Sequence, residues 1–166
     1  MRQNRNNLPY PPISRFGWLM GLYSENFARI GGLLDLAKLP AGRYISSVGD
    51  GLNVSVDVLE RHAHTVELRL SYTLKDPVTG LPDPSAVVRV YLDSHQAEAT
   101  HCYVGRHWQD VLGLRPSPEV MMGHRLRMNS FLSKWLGYLA ELGHRRETLR
   151  CAGSDDLEVK VSMTDA

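Results

Sequence analysis

The sequence predicts an α+β domain: a helix, an antiparallel meander of about five strands, and a second helix, with both helices packed on one sheet face. Two observations predict it. Apolar residues recur at helical spacing near both ends of the chain, and between them the period drops from 3.6 to 2. The central segments alternate apolar and polar side chains, which describes a sheet that is oily on one face and solvated on the other. The two flanking stripes are the only ones long enough to cover the oily face.

Residues 1–14 (MRQNRNNLPYPPIS) are polar and then proline-rich, so a flexible arm is expected before a domain spanning 15–146. From about Leu19 to Leu39, the residues Leu19, Leu22, Phe27, Ile30, Leu33 and Leu34 form one stripe, with Ser24 offering a cap. Gly31-Gly32 weakens its middle, and Pro40 and Gly42 stop it. Arg43–Val48 reads as a first strand, ended by Gly49-Asp50-Gly51.

The next strands read as Leu52–Glu60, Thr65–Leu74, Ala86–Asp93 and Gln96–Tyr103. In the last of these, Ala97, Ala99 and Tyr103 fall on the apolar side and Glu98, Thr100 and Cys102 on the polar side. Parity constrains the register. Joining Leu52–Glu60 to Thr65–Leu74 with the even-numbered residues facing one way calls for an odd loop, such as Arg61–Ala63. The following hairpin calls for an even loop, which pairs Val90 with Ala97 and Arg89 with Glu98.

Lys75–Ser85 is turn-rich, and residues 104–118 read as irregular. Helical period returns from about Glu119 to Leu142, through Leu126, Met128, Phe131, Leu132, Trp135, Leu139 and Leu142. Gly143 suits the position just past the helix end, with His144, Arg145 and Arg146 near the negative end of the dipole. Residues 147–166 read as a weakly ordered tail, in which Leu157, Val159 and Val161 offer a short edge strand.

Composition excludes several function classes. A net charge of +1 over 166 residues argues against a broad nucleic-acid footprint and against a polybasic membrane anchor. No apolar run approaches the roughly 20 residues that cross a bilayer. Cys102 and Cys151 are too few and too far apart for a disulfide framework, so both are expected as reduced thiols in a cytoplasmic protein.

The polar sheet face is the strongest candidate site. Asp57, Arg69, Arg89, Tyr91 and Glu98 should project from it, and arginine holds carboxylates or phosphates with two parallel bonds. A concave face, or one covered by the 104–118 loop, would make an anion pocket; otherwise it is a solvated face of paired charges. His62 and His64 flank a turn, but no Cys/His cluster or HExxH pattern completes a metal set, so neither metal nor cofactor is expected. No GxSxG elbow or phosphate loop occurs, and Cys102 sits in a strand, away from any thiolate-stabilising helix start. Trp108, beside Arg106 and His107, suggests stacking on a ring or simple packing.

Several separated segments carry a family resemblance. Asn26-Phe27 with Leu33-Leu34 is similar to an N-F-x-x-L…LLP opening. Val88-Arg89-Val90-Tyr91 with Asp93 and Ala97-Glu98 is similar to VRLYHDA…AEV. Asn129, Phe131-Leu132 and Trp135-Leu136 are similar to N-x-F-L-x-x-W-L. Over roughly residues 22–143 the chain thus resembles DUF1249, a bacterial family without an assigned activity. The resemblance carries over Arg89, Tyr91, Asp93, Glu98 and Asn129 as ligand-binding candidates, to which the polar sheet face adds Arg69. It supplies no catalytic residue. The chain departs from the family where Leu92 replaces a histidine and where His124-Arg125 and Arg127 replace Glu-Lys and Gln.

The expected function is therefore that of a non-enzymatic binding or accessory domain, with a small anion or a protein as partner. The alternative is an enzyme acting on a small anionic or phosphorylated metabolite, with Arg69 and Arg89 as anion holders.

Overall fold

A computed structural model describes residues 13–49, 51–103 and 115–153. Helix α1 (Arg15–Leu33) is followed by strands β1 (Gly42–Ser46), β2 (Val54–Arg61), β3 (Thr65–Tyr72), β4 (Ser85–Tyr91) and β5 (Gln96–Tyr103), then by helix α2 (Pro118–Glu141) and strand β6 (Leu149–Cys151). The strands form one antiparallel sheet in the order β5-β4-β3-β2-β1-β6. The meander is as expected, with β6 added beside β1 from the segment read as tail. Residues 1–12 of the arm and the Leu157–Val161 alternation lie outside the described residues.

Helix α1 starts and stops earlier than its stripe suggested. Ser14, not Ser24, is the cap: its Oγ accepts from the Gly17 N–H at 3.0 Å. Gly31-Gly32 falls in the last turn, and Leu34 is already extended at φ −144°. The exposed Gly31 carbonyl accepts from Arg146 Nε, so a basic side chain from beyond α2 closes the end of α1. Helix α2 begins with Pro118 after the Ser117 cap. It ends as its sequence predicts: Gly143 takes φ +100°, and the amides of Gly143 and His144 return to the carbonyls of Ala140 and Leu139.

The even-numbered strand residues are buried as a set. Val54, Val56, Val58, Val66, Leu68, Leu70, Val88 and Val90 are at most 3% exposed and pack against Ile30, Leu33, Leu34, Met128, Leu132, Trp135 and Leu139. Leu52 and Leu74, which share that parity, lie beyond the strand ends and are exposed.

Two bulges set the register. Val58 pairs with Leu68 but Glu60 with Glu67, so Leu59 is the extra residue of β2, and His62 N–H closes a short turn on the Thr65 carbonyl. The added residue therefore sits in the strand and not in a longer loop. Arg89 faces Glu98 and Val90 faces Ala97 as expected, but Val88 faces Ala99 and Val87 faces His101, which makes Thr100 the extra residue of β5. That bulge reverses the alternation beyond it. Cys102, expected on the polar face, is in the core, and burial pushes its thiol up to about 12; Tyr103 turns to the outer face.

The two helices run parallel. Arg15 meets Gly123 near their starts, Asn26 meets Asn129 midway, and Arg146 meets Gly31 near their ends. Both lie over β5, on the buried face of the sheet. Beyond α2, buried His144 holds β1 through an Nδ1–Ser46 Oγ contact of 2.7 Å, and Ser46 also meets Thr148 Oγ1 at 2.6 Å.

This packing can be tested at two positions. Leu132→Ala, at a position with 0% exposure, should cost about 2–5 kcal/mol in urea unfolding. Burial also lowers the His144 pKa, opposed by the Leu52 backbone. The unfolded state then takes up protons first, so stability should fall as pH drops below about 6.5 toward the folded-state value. A stability profile in that range that His144→Asn leaves just as steep would show that another group carries the dependence.

Candidate functional site

The outer sheet face is built from the residues that the buried alternation leaves over. Across β2, β3, β4 and β5, one row reads Glu60, Glu67, Arg89, Glu98, and the next reads Asp57, Arg69, Val87, His101. Their charges are mostly matched. Arg43 Nε donates to Asp57 Oδ1 at 2.8 Å, and Arg89 Nη2 donates to Glu67 Oε2 at 3.1 Å. These bonds hold both guanidinium pKa values above their ordinary value, with the Asp57 and Glu67 hydrogen bonds as the largest causes.

Three predicted candidates come together here. Tyr91 donates to Glu98 Oε1 at 2.7 Å, while Arg89 lies opposite Glu98 in the ladder. The Tyr91 phenol is raised by burial and then by Glu98, with Arg89 acting against them. Glu98 is also approached from the other side of the edge strand. Tyr23 of α1 is pushed up to about 12, first by burial and then by the Glu98 charge, with Arg125 of α2 opposing. The charge of one carboxylate thus acts on tyrosines from the sheet and from a helix. Tyr23 and Arg125 carry no sequence signal for this role, because only the wrapping of both helices around β5 brings them there.

Asn129 serves the edge itself. It is 0% exposed, its Oδ1 accepts the Ala99 amide at 2.8 Å, and its Nδ2 donates to the Arg125 carbonyl at 2.9 Å. Asn26, equally buried, reaches Asn129 Oδ1 and its backbone carbonyl at 3.4 Å. Asn129 therefore lies behind the strand that carries Glu98 and does not line the outer face. Asp93 stands apart as well. It is exposed in the β4–β5 turn, where its Oδ1 accepts the Ser94 amide at 2.8 Å.

Arg69 lines a groove that was not visible in the sequence. The 75–84 loop is tied to β5 through Tyr103, whose hydroxyl meets Thr79 Oγ1 at 2.6 Å and donates to Asp76 Oδ2 at 3.1 Å. Asp76 accepts the Val78 and Thr79 amides, and these bonds lower its pKa. The pinned loop and the sheet border a groove of about 520 Å³, whose lining includes Leu59, Glu67, Arg69, Leu81, Pro82, Ser85, Val87, His101 and Tyr103. Both bulges contribute, since they free Leu59 and turn Tyr103 outward. The 104–114 part of the loop expected to cover this face, with Arg106, His107 and Trp108, lies outside the described residues. Among the described residues no group of three or more His, Cys, Asp or Glu gathers to hold a metal ion, and no helix is long and apolar enough to cross a membrane.

The fold and the outer face define an α+β domain with a one-sided sheet. The model of the family described as a protein of unknown function, DUF1249, matches residues 29–145, and the chain belongs to that family. No curated protein and no solved structure matches the chain.

If Asn129 is the acceptor that satisfies the covered edge, Asn129→Ala should cost about 1–3 kcal/mol, the usual penalty for an orphaned buried donor. Hydrogen exchange should show the Ala99 amide opening faster; protection at the wild-type level would mean that another group satisfies it.

Proposed function

We propose that this domain binds a small amphipathic anion in the outer groove and does not turn it over. One observation carries the reading. In the row where Arg43 takes Asp57 and beside the row where Arg89 takes Glu67, Arg69 makes no ion pair among the described residues. Asp57 stands directly across from Arg69, yet its carboxylate bonds Arg43. The guanidinium of Arg69 is left beside a mainly apolar groove whose size falls in the usual ligand range of roughly 300–1,000 Å³, and the Glu67 carboxylate that also lines it is held by Arg89. Its planar fork suits a carboxylate or phosphate head, while Leu59, Leu81, Pro82 and Val87 suit an apolar body.

Arg89, Tyr91 and Glu98 then act as the rigid flank of this face, and Asn129 supports the strand they stand on. A cytoplasmic setting is supported by the two cysteines, both free thiols.

Isothermal titration with decanoate, a carboxylate on an apolar chain, provides the test. The wild-type protein should show one saturable site, and Arg69→Ala should weaken it about tenfold or more, the value of a charge-assisted hydrogen bond pair. Equal affinity in the variant would remove Arg69 and the groove from consideration. Recovery of chemically altered ligand from metabolite pools incubated with the protein would favour an enzyme instead.

A further inference from the structure

We propose that the outer groove takes a ligand with an anionic group at each end, a medium-chain dicarboxylate, with Arg69 holding one end and His101 the other. This deepens the groove reading above and rests on it. Register sets the geometry. Across β3, β4 and β5, Val87 faces Arg69 on one side and His101 on the other, and all three line the groove. Neighbouring strands lie about 4.8 Å apart, so the arginine and the histidine stand about 10 Å apart at the backbone. The groove therefore has a polar group at both ends of an apolar floor.

His101 stands there because of the bulge at Thr100. In an unbroken alternation, Glu98 and Thr100 point outward while Ala99 and His101 point into the core. The extra residue reverses this, so His101 is exposed on the outer face and Cys102 takes the buried position. The same reversal brings Tyr103 outward, but the two residues are engaged differently. Tyr103 is occupied in pinning the 75–84 loop through Thr79 and Asp76. His101 ties no other segment to the sheet. Among the described residues it makes no ion pair, and its one side-chain hydrogen bond joins Nδ1 to Thr100 Oγ1 at 3.2 Å. Its Nε2 is left to meet a ligand.

The two ends select the ligand class. A single-headed amphiphile satisfies Arg69 but lays its apolar tail against an imidazole, which takes a polar ring out of water without a partner. A second carboxylate reverses that cost, because a histidine N–H donates to it. The neighbouring carboxylates are already engaged. Glu67 is held by Arg89 at 3.1 Å, and Asp76 accepts from Tyr103 and from the Val78 and Thr79 amides. With C–C bonds of about 1.5 Å, a chain of about six to eight carbons spans the separation of the two heads. Val87, Leu59, Leu81 and Pro82 suit the methylenes between them.

Isothermal titration of the full chain with octanoate and with octanedioate tests this, since the two acids differ only at the far end. The dicarboxylate should bind about tenfold more tightly. His101→Ala should abolish that advantage without weakening octanoate, whereas Arg69→Ala should weaken both acids. His101 is exposed, so its replacement should leave the melting temperature unchanged. Equal affinity of the wild-type protein for the two acids, with octanoate still weakened by Arg69→Ala, would overturn the second anchor and leave the groove reading standing. An advantage of the dicarboxylate that survives in His101→Ala would overturn the assignment to His101. Binding of neither acid would overturn the groove reading and this proposal together.

Discussion

The long edge of the sheet is the feature on which the rest of the molecule depends. A sheet has two edges, and their unpaired backbone groups must face water or find partners. Among the described residues one edge is β6, only three residues long. The other is β5, eight residues long, and both helices lie over it. Covering that edge buries apolar side chains but strands the Ala99 amide away from solvent. Asn129 supplies the missing acceptor, and Asn26 ties α1 to the same residue. A neutral amide is suited to the task because it accepts from one partner while donating to another, here the Arg125 carbonyl. The asparagines thus fix the height and rotation of both helices over the sheet.

Glu98, one residue away, bears the consequence on the other side of the strand. Ala99 faces the core and Glu98 the outside, so the same edge that needs Asn129 presents a carboxylate at its rim. Tyr91 bonds it from the neighbouring strand, and Tyr23 and Arg125 lie close on the helical side. The Glu98 charge is thus felt by Tyr91 on the outer face and by Tyr23 in the helical layer. Arg89, paired with Glu67, belongs to that rigid flank.

How much of the fold and the site was legible depends on the range of the interaction concerned. Alternation in β2 to β5 reports burial residue by residue, so the meander and the pairing of Arg89 with Glu98 could be read directly. The bulges at Leu59 and Thr100 could not, because each is one residue whose only consequence is a reversal of parity beyond it. Simple alternation therefore puts Cys102 and Tyr103 on the wrong faces. Ser14 follows a proline-rich segment and lies outside the apolar stripe, whereas Ser24 lies inside it, so the pattern points to Ser24 although Ser14 is the cap. The family pattern selected Asn129 and Glu98 together, and they do lie at one place, though on opposite sides of a strand. Nothing local marks Tyr23, Arg125 or the groove beneath the 75–84 loop, since each arises from contacts between distant segments.

The parallel arrangement of the helices makes demands at both ends. Antiparallel neighbours offset each other's dipoles, whereas parallel neighbours add theirs, so each end of this pair needs a counter-charge. At the C-terminal end the chain provides it from nearby sequence. The Gly143 turn reverses direction, Arg146 reaches the Gly31 carbonyl and pairs with Asp35, and buried His144 locks the turn to β1. At the N-terminal end the two serine caps satisfy one backbone donor each, through Gly17 and Val120, but neither adds charge. Glu119 in the first turn of α2 brings negative charge to this end, while the first turn of α1 has none and begins with Arg15. The two ends are thus held by different means: caps and one carboxylate at the start, and a glycine turn, a cation and a buried histidine at the finish.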